Sequence, residues 1–256
     1  MASRFTALIA VAFAFTTGAA IGAEEDRGDS VLNAFATRLA FTPEQKEQAG
    51  KIHADFEQKS APVCEQMWKL HCEHHKAVLQ ILSAEQIAKL PEAMKEVKAK
   101  MFAEVATKLE LNASQKTEAE KVCTEYGAKF QALGDAEDAN KSEKFKELKR
   151  AQWQAFSRIL TDDQRVKLPA LIQEELQSGK TPTAKSEYRN IMAEKLSLTA
   201  DQKTRLDKVC DDFAPKIDEQ KAKLLTMCKE KQSAMEKILT ETQRTKFLEY
   251  VKADAK

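Results

Sequence analysis

Glycine and proline are scarce: seven and six in 256 residues. Gly18 and Gly22 lie in the first 23 positions, so five glycines serve the rest of the chain. No Gly-rich loop of the kind that cradles phosphates can be drawn from them. An excess of one charge is also missing. Arg4 is the sole charge in residues 1–23, and without it the 41 basic residues fall to 40, against 40 acidic ones. A global nucleic-acid footprint, which needs a basic excess on one face, is not expected. Long apolar runs are absent after residue 23. Five cysteines (Cys64, Cys72, Cys123, Cys210, Cys228) are an odd number, and their spacing does not read as a disulfide framework. Cys64 and Cys72, on one continuous helix, would stand about 12 Å apart along its axis, too far to bridge.

What remains is long segments rich in Ala, Glu, Lys, Leu and Gln, with apolar residues recurring at helical spacing. This composition predicts an all-α protein. The first residues, MASRFTALIAVAFAFTTGAAIGA, place one Arg before an uncharged apolar stretch and end in small residues. They read as a signal peptide over 1–23, cleaved after Ala23. The alternative is a membrane anchor, because Phe5 to Ala23 is close to spanning length. Thr, Gly and Ala dilute that run, and Glu24-Glu25-Asp26 follows at once. The mature chain is expected to be exported, and not transmembrane once the leader is removed.

The chain repeats itself. ILSAEQIAKLP (81–91) returns as ILTDDQRVKLP (159–169). Its core pentad occurs six times: FTPEQ (41–45), LSAEQ (82–86), LNASQ (111–115), LTDDQ (160–164), LTADQ (198–202) and LTETQ (239–243). Consecutive pentads fall in pairs, and the first and third pairs are offset by a constant 157 positions. Flanks match as well: Ala-Thr-Arg-Leu-Ala40, Ala-Thr-Lys-Leu-Glu110 and Ala-Glu-Lys-Leu-Ser197 precede the first, third and fifth pentads. The reading is three copies of one unit, over 24–108, 109–186 and 187–256, the last truncated, in one continuous helical body.

Each pentad predicts a helix start. The second residue (Thr42, Ser83, Asn112, Thr161, Thr199, Thr240) is a good N-cap, and the fifth (Gln45, Gln86, Gln115, Gln164, Gln202, Gln243) completes a capping box. Asn112 heads a glycosylation sequon but reads as a cap. The leading residue (Phe41, Leu82, Leu111, Leu160, Leu198, Leu239) is expected to pack on a neighbouring helix, since a hydrophobic staple is available only at Ile87. Helices are predicted at about 30–39, 43–81, 84–108, 113–133, 141–159, 162–178, 185–196, 200–238 and 240–253. Pro62 and Pro215 should kink or split the two long ones, and Pro91 and Pro169 fit as first residues of new helices. The linkers are 134–142 and 178–186. The architecture expected is an elongated array of antiparallel helices.

Six LTxxQ-like pentads on an exported, Gly-poor, all-helical chain resemble the Spy/CpxP family of periplasmic LTxxQ proteins. The resemblance spans about residues 35–250. It implies a periplasmic location and ATP-independent chaperone or envelope-stress work on unfolded or misfolded proteins, or a metal-linked role, and often a homodimer. This chain departs in having three motif pairs, so one chain can replace the dimer.

The residues that could carry chemistry cluster at Cys64-Glu-Gln-Met-Trp-Lys-Leu-His71-Cys72-Glu-His74-His75. His71 and His75 share a helix face, Cys64 aligns with His71, and imidazole and thiolate suit zinc, nickel or copper. Cys72 and His74 complete the candidate set. The alternative places His74 in a core stripe with Ile52, Phe56, Val63, Met67, Leu70, Val78 and Ile81. Under the repeat alignment His53, Cys123 and Cys210 coincide, as do His71 and Cys228, beside the core stripe. Catalysis finds no support, because adjacent Cys and His on a helix point apart. Besides the holding protein and the metal protein, a purely structural helical array explains the capping boxes equally well.

Overall fold

The structure is a computed structural model and describes residues 31–136, 140–178 and 182–251. The expected signal peptide over 1–23 and parts of both expected linkers lie outside these residues. Among them every regular element is a helix: α1 (Val31–Arg38), α2 (Pro43–Leu79), α3 (Ala84–Lys108), α4 (Ala113–Asp135), α5 (Lys141–Ile159), α6 (Asp162–Ser178), α7 (Pro182–Lys195), α8 (Ala200–Ile238) and α9 (Glu241–Val251).

Six of the nine begin at a pentad. The Thr42, Ser83, Asn112 and Thr199 side chains each accept from the amide of the Gln three residues on, and that Gln accepts from the cap's own amide. Thr161 and Thr240 make the same reciprocal pair of bonds with Gln164 and Gln243. Two otherwise orphaned N–H groups are satisfied at each start.

Before the first, third and fifth pentads the chain turns through a left-handed residue that is not glycine: Ala40 (φ 50°), Glu110 (φ 54°) and Ser197 (φ 49°). The next amide reaches five residues back, Phe41 to the Ala36 carbonyl, Leu111 to Ala106 and Leu198 to Ala193, at 2.9, 2.9 and 3.0 Å. This is a Schellman ending, and the pentad's leading residue is its apolar closing position. Phe41, Leu111 and Leu198 are buried accordingly, as are Leu160 and Leu239. The pentad therefore closes one helix and opens the next. A non-glycine residue in the left-handed region costs about 1–2 kcal/mol. Ser197→Gly should therefore raise the unfolding free energy by about 1 kcal/mol, read as a higher urea midpoint at unchanged slope.

Several sequence expectations are corrected. Pro91 and Pro169 lie inside α3 and α6 and start no helix. Pro62 and Pro215 do not split α2 or α8. Burial of neighbouring residues (Leu90 and Ala93; Leu168 and Ala170; Val63 and Cys64; Ala214 and Ile217) offsets the lost backbone bond in each case. Ile87 is 40% exposed, so it forms no staple.

The two longest helices, α2 of 37 residues and α8 of 39, pack together and carry the fold. The start of α2 meets the end of α8, where the Gln45 amide donates to the Ile238 carbonyl at 2.8 Å. Just past the end of α2, the Ile81 carbonyl accepts from Gln202 at the start of α8 at 3.0 Å. Apolar residues gather in four clusters. One lies where α1 and α9 meet the first end of this helix pair, and one where α3 and α7 meet the other. A central cluster joins α2 and α8 to α4, α5 and α6, with Trp68 stacked on Phe145. The fourth joins α3, α4, α5 and α6. The predicted stripe on α2 is the one buried, from Phe56 through Val63, Met67, Leu70 and His74 to Val78.

Candidate functional site

The cluster of ring and thiol side chains on α2 is spread around its helix. His74 is 1% exposed and edge-on to Phe213, 5.3 Å between ring centroids. Burial, with some help from His71 and His75 nearby, pushes its pKa down to about 3, so the ring is neutral. Cys64 is buried in the central cluster; His71, His75 and Cys72 are partly buried. No disulfide joins any of the five cysteines. No three His, Cys, Asp or Glu side chains among the described residues gather closely enough to hold a metal ion. The contact His74 does make is with Cys210 of α8, whose Sγ lies 3.8 Å from Nε2. Burial raises the pKa of that thiol.

The pentad glutamines meet in space, in an order unlike their order along the chain. Consecutive pentads read as pairs, but only the third and fourth pair that way. Gln45 bonds Gln243, Gln86 bonds Gln202, and Gln115 bonds Gln164, at 2.7–3.1 Å in both directions. Each amide is saturated. Its oxygen accepts from its own cap and from the partner's NH2. Its nitrogen donates to the partner's oxygen and to a carbonyl before the partner's pentad: Ile238, Leu39, Leu196, Ile81, Ile159 or Glu110. Four elements' ends are thereby tied at each junction. One signal in the sequence pointed here: a capping box takes Glu as readily as Gln, and all six positions hold Gln. Only Gln carries the two donors.

A pocket of about 100 Å³ opens between α1, α2, α5, α6, α8 and α9. Phe35, Phe56, Trp153, Leu168 and Met235 supply much of its wall, and Lys231 and His53 its polar end. The Lys231 ammonium donates to His53 Nδ1 at 2.7 Å and sits 4.6 Å from the centroid of the Phe56 ring. Since Nδ1 accepts, Nε2 carries the imidazole proton, and it lies 3.6 Å from the Glu57 carboxylate. Burial pulls the Lys231 pKa down to about 8 against the raising influence of Cys228 and Glu57. Burial lifts Glu57 to about 7, although Lys231, Lys149 and Arg150 oppose it. Burial also pushes the Cys228 thiol up to about 11. Lys231 was not singled out from sequence. Its signal was its register: Leu224, Cys228, Lys231 and Met235 share one helical stripe, which puts a lysine among core positions.

The chain matches no protein-family model, no curated protein and no solved structure. Its own geometry must carry the functional reading. The 157-position offset maps Gln45 onto Gln202 and Gln86 onto Gln243. Gln45 bonds the image of Gln86, and Gln86 bonds the image of Gln45. That reciprocity is the signature of an isologous contact, as between two copies of one subunit, here within one chain. No helix among the described residues is long and apolar enough to cross a membrane.

Proposed function

We propose that this is an exported, Spy/CpxP-like holding protein that binds unfolded or misfolded proteins without ATP and catalyses no reaction. The observation that supports it is the set of six LTxxQ-like pentads, all used alike, with the first and third copies joined as if they were two subunits. In this reading the chain is an antiparallel array of three repeats in which those copies replace the dimer that the resemblance implies. Weak, reversible contact with clients would use apolar groups framed by mixed charge. Ile87 is the only large apolar side chain exposed among the described residues, and the surface elsewhere carries ion pairs such as Lys51–Glu47 and Lys223–Glu219. The test is light scattering from an aggregating client protein with the reduced, metal-free chain added and no ATP. Suppression near equimolar ratio supports the proposal. Undiminished aggregation at every ratio rejects it and leaves the metal protein or a structural array.

A second reading, a periplasmic sensor or buffer of zinc, nickel or copper, draws on the buried Cys210–His74 contact, a soft thiol and a neutral imidazole 3.8 Å apart. His71, His75, Cys64 and Cys72 lie on the same helix as His74. Titration of the reduced protein with each metal decides it, and an absence of binding at micromolar concentration removes it.

A further inference from the structure

The pocket beside Lys231 combines an apolar chamber with one cation. Lys231 has three N–H donors, of which one goes to His53 and none, among the described residues, to a carboxylate within ion-pair distance. Glu57 is reached only through the imidazole. An ammonium at the edge of an apolar chamber with no direct counter-ion is costly, because burial there disfavours charge. A ligand that brings its own anion relieves that cost and fills the chamber in the same step.

Size limits the ligand. An apolar cavity of about 150 Å³ holds a benzene ring, so this one of about 100 Å³ takes a hydrocarbon group of roughly four or five carbons. Its wall is mostly ring faces and aliphatic chains from α1, α2, α5, α6, α8 and α9, and the amides of Gln173 and Gln232, which also line it, bond each other at 3.2 Å. We infer that the pocket binds a small apolar carboxylate, a short branched or cyclic acid, whose hydrocarbon fills the chamber against Phe35, Trp153 and Leu168 while its carboxylate receives the Lys231 ammonium. Long-chain fatty acids exceed the space. The inference stands apart from client holding, since it concerns a chamber inside the helix packing and not the exterior.

The test uses the purified chain with two probes of equal shape, 4-methylpentanoate and 4-methylpentan-1-ol, followed by NMR titration. The expected result is saturable binding of the acid, with the alcohol weaker by about tenfold or more, as a charged hydrogen bond requires. The Trp153 indole resonance should move and that of Trp68, in the central cluster, should stay. Lys231→Met, which keeps the aliphatic stem, should bring the acid down to the level of the alcohol. Absence of saturable binding of the acid to the unaltered chain overturns the inference, whatever the variant does. So do equal affinities for acid and alcohol, movement of resonances away from Trp153 only, or an unchanged acid affinity in folded Lys231→Met.

Discussion

Gln202→Glu should lower the unfolding free energy by about 2–4 kcal/mol, and Gln86→Glu should match it. The substitution leaves the helix cap in place, because Glu serves the capping box as well as Gln and can still accept from the Thr199 amide. What it removes is the NH2 group. Gln202 donates to the Ile81 carbonyl at 3.0 Å and to Gln86 Oε1 at 2.7 Å. A carboxylate has no proton for either and would set a negative charge against two oxygens. Leaving a half-buried acceptor unsatisfied costs about 1–3 kcal/mol, more when charge is involved. A protonated Glu regains one donor, so the deficit should shrink as the pH falls below the carboxylate range. Urea melts at pH 7 and pH 4 measure both effects. Gln131→Glu, on the exposed surface of α4, is the control and should stay within about 0.5 kcal/mol of the parent. If Gln202→Glu costs no more than the control, the glutamine junction is not a source of stability.

The second large effect is a pH dependence with two sides. Glu57 has its folded-state pKa raised from 4.5 to about 7, so the neutral form suits the fold. Its favourable contribution is complete below about pH 4.5 and is lost as the pH rises to 7. Lys231 is the mirror case. Its pKa is lowered from 10.5 to about 8, so its favourable contribution is complete above about pH 10.5 and is lost as the pH falls to 8. Between 7 and 8 both groups are charged, and the cluster contributes least. Each shift of about 2.5 units corresponds to roughly 3 kcal/mol. His53 and Cys228 stand beside Lys231, and Lys149 and Arg150 face Glu57, so those neighbours must be left unaltered. Unfolding free energies of the parent and of Glu57→Gln, taken from pH 4.5 to 7.5, should diverge by up to that amount, the parent losing more as the pH rises. Lys231→Met should remove the corresponding rise between pH 8 and 10.5. Parallel curves for parent and Glu57→Gln would show that Glu57 is solvated and ionised throughout.

The helices were legible because their signals are local. A cap and its glutamine lie three residues apart, and the six pentads place six starts at the residues where helices begin. The stripe on α2, including His74, was legible for the same reason, since a helical period is read within one segment. The prolines misled. Pro91 looks like a start, yet its helix already began at Ala84, because the capping box at Ser83 and the burial around Leu90 outweigh one missing backbone bond. The ring and thiol cluster on α2 was legible as a set of residues but not as an arrangement. His71, Cys72, His74 and His75 are neighbours in sequence, but a helix turns about 100° per residue, so Cys72 and His74 leave the face that His71 and His75 share. The partner His74 does find, Cys210, lies 136 residues away. The pairing of pentads and the Lys231 pocket were not legible, because both depend on how α2 and α8 lie against each other. The constant offset of 157 relates the first two pentads to the last two, but it does not by itself say which of them meet.

The order in which the junctions join has a kinetic consequence. They are nested. The innermost links residues 49 apart, the next 116 and the outermost 198. Closing a loop of 198 residues from an open chain costs about 1.2 kcal/mol more than closing one of 49. Once an inner junction holds, the loop left for the next is shorter than its residue count. The least costly route to the native state therefore runs outward from the middle of the chain, like a hairpin zipping toward its open ends. A chain emerging from its N-terminus can make the Gln115–Gln164 junction early, but Gln45 has no partner until Gln243 has appeared.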